Sequence, residues 1–91
     1  MNKLTIFYLE HCPYCKNARR AVEALRAEDP ALEAVDIEWV DERREAARAD
    51  ACDYYYVPSA YLNGEKLYEC SPAHGYEDIK AHLKRAMERC R

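Results

Sequence analysis

The segment KLTIFYL, residues 3–9, is rich in β-forming residues and apolar on both faces of an extended chain. Such a segment belongs inside a sheet that is covered on both sides. It runs almost directly into residues 13–28, where Tyr14, Cys15, Ala18, Val22 and Leu25 recur every three or four positions, as on one helical face. Asp29-Pro30 stops that helix, because the residue before a proline avoids helical geometry. AVDIEWVD, residues 34–41, then alternates Val35, Ile37 and Trp39 with Asp36, Glu38 and, less regularly, Val40. Alternation puts one face in water, which predicts an edge strand with Trp39 facing the core. Two strands joined by a crossover helix are parallel and right-handed, so the chain is of the α/β class.

ERREAARADAC, residues 42–52, reads as a short second helix whose apolar face is only alanine, with Cys52 on it. In YYYVPSAYLNGEKLYEC, Asn63-Gly64 separates two β-like runs and predicts a hairpin of residues 59–62 and 65–70. Tyr76, Ile79, Leu83, Ala86, Met87 and Cys90 mark a closing amphipathic helix. The predicted order is β-α-β-α-β-β-α, a four-stranded mixed sheet flanked by three helices.

A chain of 91 residues allows one domain, residues 1–91, with a modest core. A formal charge of −3 with no basic block argues against a nucleic-acid partner. The apolar run Leu4 to Leu9 is too short for a secretory segment or a membrane span. A cytoplasmic monomer is expected. Five cysteines, an odd and unevenly spaced set, do not suggest a secreted disulfide scaffold. In a reducing compartment a close pair is catalytic or metal-binding more often than structural.

The close pair is Cys12 and Cys15, in HCPYC at the end of the first strand. With Cys12 as helix N-cap, Pro13 takes the first helical position, where a missing N–H costs nothing. The free N–H groups of Tyr14 and Cys15 are then expected to point at the Cys12 sulfur and, with the helix dipole, to favour a thiolate. A free thiol titrates near ~8.5, and sites of this kind reach roughly 3.5–7.5. Cys15 lies one turn on, about 5.4 Å along the axis, close to the ~5.5 Å Cα separation of a disulfide. It also belongs to the apolar stripe. One exposed nucleophile and one sheltered resolving thiol are the parts of a redox dithiol. A zinc site would need two further ligands, of which Cys70 and His74 in CSPAH are the best placed.

A first strand, CPYC, a helix, a later VPSAYLNG and a closing helix resemble, over essentially the whole chain, a glutaredoxin-type member of the thioredoxin superfamily. The resemblance implies the thioredoxin/glutaredoxin fold and a thiol–disulfide oxidoreductase. In it, Cys12 is the nucleophile, Cys15 resolves and Pro13-Tyr14 shape the approach. Val57 with Pro58, cis in that family, forms a substrate-docking edge, and Tyr56 beside it is a candidate for the groove. It implies no resident metal or cofactor, with glutathione as a possible co-substrate. Partners would be disulfide-containing or glutathionylated proteins, and glutathione or a thioredoxin-reductase-like enzyme would be the donor. A lone proline is also tolerated at the first position of a strand.

The chain departs from the family pattern at the glutathione anchors. The lysine three residues before the first cysteine is Leu9 here. The Gly-Gly after the hairpin is Tyr68-Glu69, and the following aspartate is Pro72. Both ends of the glutathione grip are therefore altered. Lys16 and Arg19 could attract an anionic substrate, although a solvated helix face explains them as well. His11 could favour the Cys12 thiolate if protonated, and Glu10 opposes it. Cys70 should emerge near the active-site end, and Cys90 is read as a helix residue. Two other classes use the same residues: a metal-binding module, holding zinc or a [2Fe–2S] cluster, and a non-catalytic thioredoxin-fold binding domain.

Overall fold

Leu4 and Ile6 are fully buried on one face of the first strand and Phe7 is buried on the other, as an apolar two-faced strand requires. That strand is central in the computed structural model, which describes residues 2–91. In chain order the elements are β1 (Lys3–Tyr8), α1 (Pro13–Glu28), α2 (Pro30–Glu33), β2 (Asp36–Asp41), α3 (Ala46–Asp50), β3 (Ser59–Leu62), β4 (Glu65–Glu69) and α4 (Tyr76–Glu88). The sheet order is β2-β1-β3-β4. β1 runs parallel to β2, from Lys3 opposite Asp36 to Tyr8 opposite Asp41, and antiparallel to β3, with Leu4 opposite Leu62.

The expected mixed sheet is thus present, with one helical segment more than the three expected. Asp29-Pro30 ends α1 and also begins α2. The Asp29 carboxylate accepts the Ala31 N–H at 3.0 Å, Pro30 takes the first helical position, and Leu32 is buried as an anchor. The hairpin closes as predicted: Asn63 and Gly64 both have positive φ, 50° and 85°, the backbone of a primed turn.

The core has two unequal parts. On one face of the sheet Leu4, Ile6, Ala60 and Leu62 pack with Ala18, Val22 and Leu25 of α1 and Ile79, Leu83 and Met87 of α4. On the other, Phe7, Val40 and Tyr61 form a small cluster flanked by Ala49, Cys52, Tyr54 and Val57. β2 is therefore covered on both faces. Val40 is fully buried, whereas Trp39 is half-buried at the rim of the larger core. The Val40 irregularity in the alternation is the sign of that second face.

The second predicted helix is shorter than its sequence span. Residues 42–45 form turns, α3 buries no residue, and Arg48 fixes it to β2 through Glu38 at 2.9 Å. Alanines alone give a helix little apolar area to bury. Cys52 and Cys90 both fall just beyond the helices to which the sequence assigns them. The Cys90 thiol is buried and faces the Ala86 carbonyl at 3.4 Å.

Candidate active site

β1 delivers the chain to the sheet's carboxyl edge, where Leu9, Glu10 and His11 turn it into α1. His11 has φ 68°, a left-handed conformation that histidine tolerates better than most residues. The Cys12 N–H reaches the Leu9 carbonyl at 3.4 Å, and the Lys16 N–H closes the first helical turn on the Cys12 carbonyl at 2.9 Å. Cys12 is the N-cap, extended at φ −84° and ψ 122°, with Pro13 at the first helical position. One expectation is corrected: the Cys12 side chain accepts no hydrogen bond from the first-turn N–H groups. Those donors remain open at the helix end.

The two thiols differ in exposure. Cys12 is half-buried and Cys15 is only 3% exposed. Burial pushes the Cys15 thiol up, a hydrogen bond with the Leu9 backbone pulls it part of the way back, and its contact with Cys12 raises it again. Cys15 is therefore held as a neutral thiol beside its partner. All five cysteines are free.

The Tyr14 hydroxyl donates to the Pro72 carbonyl at 2.9 Å and ties α1 to the loop after β4. Val57-Pro58 is cis, as the resemblance implied. Pro58 is fully buried and its carbonyl accepts the Cys70 N–H at 3.0 Å, while Val57 packs on the Phe7 cluster. Tyr56 is exposed, its ring edge-to-face with that of Tyr55 at 4.8 Å. Cys70 is buried, burial raises its thiol, and its Sγ–H donates to the Ser71 carbonyl at 3.5 Å.

The Tyr68 hydroxyl lies 2.8 Å from His74 Nδ1, and the Ser71 N–H points at the same nitrogen from 3.4 Å. That network makes Nδ1 the acceptor and puts the imidazole proton on Nε2. His82 lies nearly parallel to the pair, 4.7 Å from Tyr68 and 5.1 Å from His74. Among the described residues no three His, Cys, Asp or Glu side chains converge as a metal site. The four zinc candidates, Cys12, Cys15, Cys70 and His74, thus do not come together as a ligand set.

One residue with a clear structural task carries no signal in the sequence. Glu69 Oε2 accepts the N–H groups of both Tyr55 and Tyr56 at 2.9 Å, and Oε1 takes the Lys66 ammonium at 2.8 Å. This clamp fixes the segment leading into Val57-Pro58. The Lys66 ammonium and the two amides hold the Glu69 carboxyl at about 2. A carboxyl whose folded value is depressed contributes stability above its unfolded value, near ~4.3, and loses it as pH falls through the folded one. Glu69→Gln should cost about 1–2 kcal/mol at neutral pH. It should also flatten the loss of stability between roughly pH 4 and pH 2. Urea titrations of both proteins across that range check this; parallel curves would show that the clamp contributes nothing.

The strand, N-cap dithiol, helix and cis-proline arrangement has counterparts among known proteins. A family model described as Glutaredoxin matches residues 4–67. The chain belongs to the glutaredoxin family. No curated protein sequence matches it. Among solved structures, this glutaredoxin is similar to one described as a malarial protein, at TM-score 0.63 and 16% identity over 93% of this chain and 96% of that one. A mutant thioredoxin from Halobacterium salinarum superposes at TM-score 0.60 and 22% identity, covering 92% of this chain and 73% of that one. Fasciola hepatica thioredoxin gives TM-score 0.59 and 23% identity over 99% and 81%. These likenesses establish the thioredoxin fold. Within it, the departures from the glutaredoxin pattern have structural roles: Tyr68 is a buried ring, Glu69 the clamp, and Pro72 the acceptor for Tyr14.

Proposed function

We propose that this glutaredoxin is a cytoplasmic dithiol oxidoreductase that reduces protein disulfides or glutathione mixed disulfides. The Cys12 thiolate attacks a substrate disulfide, forms a mixed disulfide and releases the first substrate thiol. Cys15 then gives up its proton and attacks the Cys12 sulfur, releasing the second thiol and leaving a Cys12–Cys15 disulfide. Two electrons from two glutathione thiols, or from a thioredoxin-reductase-like enzyme, restore the dithiol. Pro13 and Tyr14 shape the approach to Cys12, and Val57, Pro58 and Tyr56 form the docking edge.

The observation that carries this reading is the pairing of a half-buried N-cap thiol with a buried thiol one turn away. The test is turnover of a glutathione mixed disulfide with glutathione, glutathione reductase and NADPH, against the same substrate with thioredoxin reductase and NADPH. With Leu9, Tyr68, Glu69 and Pro72 at the glutathione anchors, the expected result is faster turnover with thioredoxin reductase. Absence of turnover with either donor defeats the reading.

A further inference from the structure

A groove of about 650 Å³ opens beside the dithiol, between the end of β1, the first two turns of α1 and the turns after β2. Cys15 is part of its wall, with Lys16 and Arg19 from α1 and Arg44 from beyond β2. His11 lines it too, and Glu10 and Asp41 are its acidic members. These acids do not neutralise the helix cations. Asp41 accepts the Arg43 N–H at 2.9 Å and lies 3.9 Å from Arg44 Nε. Among the described residues, neither Lys16 nor Arg19 forms an ion pair.

Arg19 is fixed in another way. Its guanidinium carbon lies 4.8 Å from the centre of the Tyr8 ring and 4.4 Å from that of Trp39, two rings that meet edge-to-face at 6.2 Å. Contact with two rings restrains the cation, and among the described residues its N–H groups have no carboxylate partner. A restrained, unpaired guanidinium in a groove that Cys15 helps to line, one helical turn from Cys12, is arranged for an anion.

We propose that Lys16 and Arg19 form a carboxylate subsite, and that the preferred substrate is a polypeptide disulfide with Asp or Glu about three residues from its cystine. This deepens, and rests on, the oxidoreductase reading. Arg19 is seven residues beyond Cys12, roughly 10 Å along the helix axis. An extended peptide spans that distance in about three residues. Glutathione's glycine carboxylate follows its cysteine by a single residue, short of Arg19. In a chain of net charge −3, this local excess of cations is what admits an acidic segment.

Trp39 is the only tryptophan and touches Arg19, so its fluorescence reports occupancy without chemistry. The probes are acetyl-Ser-Ala-Ala-Glu-amide and its Gln counterpart, titrated into the reduced protein, with S-methylglutathione as the rival carboxylate. The acidic peptide should shift Trp39 emission saturably, with affinity about fivefold above the Gln peptide, the size of one exposed ion pair. Arg19→Gln and Lys16→Gln should each remove that preference, and Arg19→Lys should keep part of it. Lys16→Gln leaves the Tyr8–Trp39 stack untouched and so guards against a merely altered tryptophan. In turnover of the corresponding cystine peptides the preference should appear in KM, with kcat unchanged. Equal response to the two peptides overturns the proposal, as does a stronger response to S-methylglutathione. Failure of the wild type to reduce either cystine peptide defeats the oxidoreductase reading instead, since the emission titration still decides the subsite.

Discussion

Replacing Cys12 with serine should bring disulfide reduction down to the uncatalysed rate, a loss of at least ~10³-fold, as expected when a nucleophile is removed. Cys15→Ser should behave differently. Its first step needs only Cys12, so a stoichiometric mixed disulfide should accumulate and be visible in the intact mass. Overall turnover of protein disulfides should stop there, because no second thiol releases the product. The asymmetry follows from placement: Cys12 is half-buried at the helix end, whereas Cys15 is buried and held neutral. A Cys12→Ser protein that keeps a substantial share of wild-type turnover, or a Cys15→Ser protein that traps nothing, would sink the assignment of roles.

Phe7→Ala should be among the most destabilising single changes, costing about 3–5 kcal/mol. Phe7 is 3% exposed, stacks on Tyr54 at 5.3 Å and meets the edge of Tyr61 at 5.7 Å. Removing the ring leaves both neighbours facing a void in a cluster that has only Val40 and Tyr61 as its other buried members. The same cluster seats Val57, so the variant should also lose affinity for substrate before it loses its fold. Urea denaturation gives the stability. A KM that rises in the folded variant while the rate of Cys12 alkylation stays unchanged would tie Phe7 to docking. A cost below about 1 kcal/mol, typical of a site that collapses around the loss, would show that the second face is not a true core.

Much of this architecture is written in local signals. The two-faced apolar β1, the alternation in residues 34–41, Asn63-Gly64 and the helical spacing after Pro13 and from Tyr76 place the four strands and the two long helices. The dithiol is equally legible, because Cys12, Pro13 and Cys15 carry helix-capping logic as well as redox spacing. The errors arise where tertiary contact decides. Val40 breaks the alternation because Phe7 and Tyr61 give it a second core, which no local pattern announces. The Cys12 sulfur does not turn back on its own helix, a side-chain choice that no spacing encodes. The Glu69 clamp joins residues fourteen apart in sequence through backbone amides, and backbone donors leave no mark in side-chain chemistry. Arg19, by contrast, is visible in the sequence as a charge, and only the folding of Tyr8 and Trp39 beneath it makes that charge specific.

The unequal covering of the sheet also sets where the molecule yields. One face carries two long, interlocked helices, and both cysteines ride on one of them. The other carries a five-residue helix that buries nothing, beside the segment that leads to the docking edge. Local opening is least costly where few apolar contacts must be broken. Excursions from the native state should therefore begin around residues 42–51, ahead of the clamped segment before Pro58, and leave Cys12 and Cys15 in place.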